Sequence, residues 1–145
     1  MSVIVRDLGP QDETRWAELW AGYLEFYESS VSDDVTAATW ARLIGPDSSV
    51  FGLVAEVEGN VQGIVNCVLH ANTWTDKPVC YLQDLFTAPE ARGQGAGKAL
   101  IEAVTTRARL ESWHRVYWRT ASDNVTAQAL YDKVAKRTGW VTYEA

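Results

Sequence analysis

Between residues 79 and 110 the chain runs an apolar, β-branched segment, a turn with glycine at 93, 95 and 97, and an apolar repeat at Leu100, Ile101, Val104 and Ala108. A strand that turns on glycines directly into a helix constrains the fold more than any other feature, because it fixes a β–α connection and an anion site together. The first N–H groups of a helix lack internal acceptors and sit at the positive end of its dipole. Glycine removes the Cβ atoms that would hold a pyrophosphate off the backbone, and Arg92 and Lys98 add positive charge.

Two familiar phosphate motifs fail at this turn. A P-loop requires glycine where Arg92 stands and a magnesium-binding hydroxyl where Ala99 follows Lys98. The dinucleotide pattern started at Gly93 requires a glycine at Lys98. The segment 92–97 instead reads R-x-x-G-x-G.

The remaining chain supplies a sheet for this unit. Residues 3–5 read as a strand. Trp16, Leu19, Trp20, Tyr23 and Tyr27 recur at helical spacing, and Ser32, Asp33 and Asp34 start a second helix that Gly45-Pro46 stops. Residues 50–57 and 61–69 flank Glu58-Gly59-Asn60 as a hairpin, and residues 79–87 form the strand before the glycine turn. After the helix from 95 to 110, the β-branched and aromatic segment 115–120 predicts a strand. Asn124 caps a helix carrying Ala127, Leu130, Tyr131 and Val134 that Gly139 ends, and residues 140–143 predict a last strand. This alternation predicts a mixed α/β sheet with helices on its faces.

At 145 residues, 47% of them hydrophobic, the chain predicts one domain over 1–145. The net charge of −6 opposes a nucleic-acid footprint, which needs a basic face. Cys67, Cys80, His70 and His114 do not form a set at zinc-ligand spacing, so no metal is expected. Cys67 and His70 lie three apart on a strand and face opposite ways, so they make no nucleophile pair. The first residues do not read as a secretory leader and no apolar run approaches the ~20 residues of a membrane helix. A cytoplasmic protein without membrane contact is expected.

The R-x-x-G-x-G turn between strand and helix resembles the pyrophosphate-binding motif of the GNAT superfamily of acetyl-CoA-dependent N-acetyltransferases. The resemblance extends downstream through RVYWRTASDN, then Asn124, Ala127, Leu130, Tyr131 and Gly139-Trp140. Upstream, LEFYESS and YLQDLF resemble the branch containing spermidine/spermine acetyltransferases and the yeast histone- and polyamine-type enzymes.

The resemblance implies a mostly antiparallel central sheet with helices on both faces, and acetyl-CoA as co-substrate. It implies that Leu85, Phe86 and Thr87 offer backbone groups to the pantetheine arm. Arg92, Gly93, Gln94, Gly95, Ala96, Gly97 and Lys98 would hold the pyrophosphate, Asn124 would meet the cofactor, and Tyr131 would be the general acid. An amine attacking the thioester generates an oxyanion and a departing thiolate. A phenol with a pKa near ~10 stays protonated at neutral pH and can donate to that sulfur, and a strand N–H near Phe86 can meet the oxyanion.

The base is open at this stage. The position of Gln83 carries Glu in the polyamine enzymes, and an amide cannot accept the proton. Asp84 is adjacent but faces the other way unless a bulge turns the strand; a water chain is the alternative. Tyr23, Glu25, Tyr27, Glu28, Asp33 and Asp34 offer carboxylates and aromatic faces to an ammonium group. The expected acceptor is thus an amine of a small cationic metabolite. A protein lysine and a non-catalytic acyl-CoA sensor are the alternatives. A homodimer using the C-terminal segment is expected, because one strand after the last helix leaves the sheet open.

Overall fold

Strand β1 (Val3–Asp7) leads through a 3-10 turn into α1 (Glu13–Phe26), whose inner side carries Trp16, Leu19 and Trp20 at the spacing that predicted it. The computed structural model describes residues 2–145. Helix α2 (Asp33–Ile44) begins where Ser32 accepts the N–H of Val35 at 3.2 Å, and it stops at Gly45. Strands β2 (Val50–Val57) and β3 (Asn60–His70) form the expected hairpin. Glu58 and Gly59 close it at φ of 53° and 82°. Then come β4 (Val79–Thr87), α3 (Ala96–Glu111), β5 (Arg115–Tyr117) and α4 (Val125–Val134).

The strands lie in the order β1-β2-β3-β4-β5, antiparallel except for the parallel β4–β5 pair. Successive residues face opposite ways and build two cores. On one face Leu53, Val65, Cys80 and Leu82 pack with Leu100, Ile101 and Val104 of α3, and Leu130, Tyr131 and Val134 of α4 close over them. On the other, Val54, Ile64 and Phe86 meet Trp16, Leu19 and Trp20 of α1 and Trp40 and Leu43 of α2. The fold is the expected mixed, mostly antiparallel sheet with helices on both faces. No described helix is long and apolar enough to cross a membrane.

Three sequence expectations fail at the C-terminal end. Strand β5 stops at Tyr117 rather than continuing to 120, because it pairs with β4 only through Val79–Arg115, Cys80–Val116 and Tyr81–Tyr117 before the two diverge. Helix α4 ends at Val134, short of Gly139, because no apolar residue after it finds a core. Residues 140–143 form no strand: they are exposed and no sheet edge lies against them, so their β-forming composition has nothing to pair with.

Candidate functional site

The site is organised by the divergence of β4 from β5. Beyond Tyr81, β4 continues to Thr87 with β3 on one side and no strand on the other. Ala88 donates its N–H to the Gln62 carbonyl of β3 at 2.7 Å. By strand alternation the N–H of Phe86 also turns toward β3, while those of Leu85 and Thr87 point to the free edge. On the α3 side of that edge, Leu85 and Thr87 lie against Gly97, and on the α1 side Phe86 packs with Gly22 and Tyr23.

At the end of β4 the three glycines of the turn differ in what they do for the backbone. Gly93 and Gly95 have φ of 81° and 88°, a left-handed conformation that disfavours a side chain, and a Cβ on either would project into open space. Gly97 is different: a Cβ there would meet Leu130, Thr87 and Leu85 at 3.6, 3.7 and 4.0 Å, ordinary contact on the side of β4 and α4. Among the described residues, no N–H from Gly93 through Gln94, Gly95, Ala96 and Gly97 to Lys98 donates to a protein acceptor. Such a run of free amides at the start of a helix fits a pyrophosphate.

The two cations expected at this turn are partly committed elsewhere. Arg92 donates through Nε to the Thr87 carbonyl at 3.3 Å and lies over the rings of Phe26 and Phe86 at 5.6 and 5.5 Å. Lys98 is exposed and pairs with Glu102 at 3.8 Å. Across the gap, Asn124 caps α4 by accepting the N–H of Ala127 at 3.2 Å. Thr120, just past β5, has a buried hydroxyl with no hydrogen-bond partner among the described residues. An orphan buried hydroxyl matches a ligand that brings polar groups.

Asp84 faces α1 because β4 bulges. Asn66 of β3 pairs with Asp84 while Cys67 pairs with Leu82, so Gln83 is the extra residue and strand parity flips after it. Leu82 therefore faces α3, but Asp84 and Phe86 face α1. Gln83 itself is exposed at the bulge.

Behind Asp84, the Nδ2 of Asn66 donates to its carboxylate at 3.1 Å, and the Nε1 of Trp16 donates to Asn66 Oδ1 at 3.2 Å. Burial pushes the Asp84 carboxyl above its ordinary value, against the opposing hydrogen bond from Asn66 and the influence of Tyr23. Burial also raises the Tyr23 hydroxyl, with the Asp84 charge next in weight. Tyr27 packs on Tyr23 with ring centroids 5.0 Å apart.

Tyr131, on α4, is half-buried with its ring 5.5 Å from Trp118, edge to face. Burial raises its hydroxyl, and Tyr27 adds to the shift. The phenol is thus held protonated across neutral pH. Asp33 and Asp34 stand in the first turn of α2 and are exposed, as are Glu25 and Glu28 near the end of α1. Cys67 and Cys80 are both buried and free, and the Cys67 thiol is pushed up first by Cys80 and then by burial, which makes it unreactive. His70 faces the opposite side and bonds the Tyr117 hydroxyl at 3.0 Å, as the strand spacing predicted. Sequence reasoning missed Thr120, Asn66 and the Tyr81–Tyr117–Arg119 group described below; their signal lies in cross-strand contact rather than in any motif.

An open-edged strand running to a run of free amides, with a carboxylate on one side and a half-buried phenol on the other, fits an acyl-CoA-dependent transferase. The chain matches the acetyltransferase (GNAT) family over residues 15–135 and belongs to that family. It is an acetyl-CoA-dependent N-acetyltransferase. It is 35% identical over 144 residues to the D-amino-acid N-acetyltransferase HPA3 of Saccharomyces cerevisiae, covering 98% of this chain and 89% of that one. Its fold is similar to the ribosomal-protein-alanine N-acetyltransferase of Brucella melitensis biovar Abortus 2308, with a TM-score of 0.82, 24% identity and 99% of each chain covered. It is also similar to AAC(6')-Iy in complex with a bisubstrate analog, with a TM-score of 0.84, 19% identity and 100% and 98% of the two chains covered.

Proposed function

We propose that this chain transfers acetyl from acetyl-CoA to the primary amine of a small molecule by direct attack in the gap where β4 leaves β5. The observation that carries this reading is Asp84: a bulge turns a half-buried carboxylate with a raised proton affinity toward the aromatic face of α1, beside a strand edge free to hold the cofactor arm.

Acetyl-CoA supplies the activated acyl group. The amides from Gly93 to Lys98 bind its pyrophosphate, the free edge at Leu85 and Thr87 bonds the pantetheine arm, and Asn124 and Thr120 meet it from across the gap. Asp84 accepts the proton that the attacking ammonium must lose. The Leu85 N–H is the donor for the carbonyl oxygen, one residue from the Phe86 position expected from sequence. Tyr131 donates its proton to the departing sulfur, which its raised pKa permits at neutral pH.

The yeast relative supports a place in the branch with the yeast enzymes, and its name assigns it D-amino acids. The polyamine members are less similar in the base, since Gln83 is an exposed amide at the bulge. The acidic edge of α1, with Glu25 and Glu28, suits an ammonium-bearing metabolite better than a protein surface. We also assign a homodimer: β5 is an uncovered edge strand, and Trp140, Val141 and Tyr143 of the tail beyond α4 are exposed.

An acceptor screen read by mass spectrometry tests the reading. Acetylated small-molecule amines with stoichiometric CoA release are expected. Tight CoA binding without turnover of any amine, peptide lysines included, refutes it in favour of a sensor.

A further inference from the structure

On the N-terminal side of the bulge, the sheet face that holds Asp84 carries a second group. Tyr81 lies on that face one step before the bulge. Tyr117 stands beside it on β5, their rings stacked with centroids 4.9 Å apart. Each end of the stack is pinned: His70 bonds the Tyr117 hydroxyl, and Arg119 donates through Nε to the Tyr81 hydroxyl at 3.1 Å. The Arg119 guanidinium also lies over the Tyr81 ring, 5.7 Å from its centroid.

This fixes the orientation of an exposed arginine while using only one of its nitrogens. Among the described residues neither Nη1 nor Nη2 of Arg119 donates to the protein, and no carboxylate lies within ion-pair distance. Glu144 of the tail acts on the guanidinium only from further away. Arg115 lies over Tyr117 at 4.6 Å and so stands further from the bulge, and Arg92 lies over Phe86 and Phe26 with its Nε on the Thr87 carbonyl at the far end of β4.

We propose that Arg119 is the specificity residue that binds the carboxylate of the acceptor, so that the acceptor is an α-amino acid rather than a polyamine. The proposal rests on the transfer reading above and names its acceptor class. A planar guanidinium with both terminal nitrogens free matches a carboxylate in bidentate geometry. The spacing is compatible: Tyr81 and Asp84 oppose Val68 and Asn66, two residues apart on β3, so about 7 Å of strand separates them. An α-amino acid with one hydrogen bond at each end reaches about 9 Å. Its ammonium then meets Asp84 and its carboxylate meets Arg119, with the Tyr81 and Tyr117 rings beneath the side chain. A polyamine would bring a second cation to the guanidinium and be repelled.

The test compares D-phenylalanine with D-phenylalaninamide as acceptors for the wild-type chain, Arg119→Gln and Arg119→Lys. Arg119→Gln is expected to lower kcat/KM for the acid about 10- to 100-fold, mainly through KM, the range for losing hydrogen bonds to a charged group. The amide should change less than about 3-fold, and Arg119→Lys should fall between. Each ratio is taken within one acceptor, so the different amine pKa values cancel. Equal losses for acid and amide would make Arg119 a structural residue and overturn the proposal. Unchanged rates for the acid would also overturn it, leaving acetyl transfer intact. No acetylation of either compound, or of any other amine, overturns the transfer reading and this proposal together.

Discussion

Replacing Asp84 by Asn removes a charge and almost no volume, which makes it the sharpest probe of the proton path. The introduced amide can still accept from Asn66 Nδ2, the bond that now holds the carboxylate at 3.1 Å, and it can donate toward the Tyr23 hydroxyl. The fold should therefore survive. Because burial raises the Asp84 pKa, the ionised form is costlier in the folded chain than in the unfolded one. That cost is absent below the unfolded carboxyl value near ~3.9 and fully present above the raised folded value. The variant should consequently be at least as thermostable as the wild type at neutral pH, with its advantage shrinking as pH falls through that window. Activity should move the other way. Losing a positioned base costs ~10²- to 10⁴-fold in kcat. The limb of the wild-type pH–rate profile that rises through the Asp84 pKa should disappear. Differential scanning calorimetry and single-turnover transfer across pH measure both effects. A variant that is less stable at neutral pH, or that transfers acetyl at near-normal rates with chemistry limiting, refutes Asp84 as the base and leaves water in that role.

Gly95→Val forces a β-branched residue into φ of 88°, which costs about 1–2 kcal/mol in the fold and disturbs the free amides. CoA affinity measured by calorimetry should fall, and unchanged affinity in a folded variant rejects the pyrophosphate site. Asp12→Ala removes a buried carboxylate that accepts from Arg6 at 2.8 and 2.9 Å and from the Gly9 N–H at 2.8 Å. Arg6 keeps Glu56, so the loss should be about 2 kcal/mol, below the usual range for a broken buried pair. Arg6 depresses the Asp12 pKa, so this stability is present above the unfolded value and lost as pH falls through the lower folded one. Urea denaturation at pH 7 and below that folded value checks the sign. Ending the chain at residue 139 should convert the proposed dimer to monomer in light scattering; a truncated chain that remains dimeric removes the tail from the contact.

The parts of the fold legible in the sequence are those governed by neighbours along the chain. Ser32 and Gly45-Pro46 bracket α2, Glu58-Gly59 makes its turn, and the 79–87 strand has its predicted ends, because caps, positive-φ turns and periodicity are local. The bulge at Gln83 is not local. Alternation along β4 puts Asp84 on the wrong face, and only the register against Asn66 and Cys67 reverses it. Residues 115–120 and 140–143 have strand composition throughout, but a strand also needs an adjacent edge. The divergence of β4 from β5 removes that edge after Tyr117, and the tail has none. The same limit hid Arg119. In the sequence it is one of 13 basic residues, and only the cross-strand contact with Tyr81 sets it apart.

The central proposal is acetyl transfer between Asp84 on one side of the gap and Tyr131 on the other. Tyr131→Phe removes one hydroxyl from a ring whose packing on Trp118 is otherwise kept. In single-turnover experiments with saturating acetyl-CoA the account predicts a transfer rate ~10²- to 10⁴-fold below wild type with CoA affinity unchanged. A variant that transfers acetyl at the wild-type rate while the chemical step is limiting would make Tyr131 a packing residue of α4 and contradict the site as assigned.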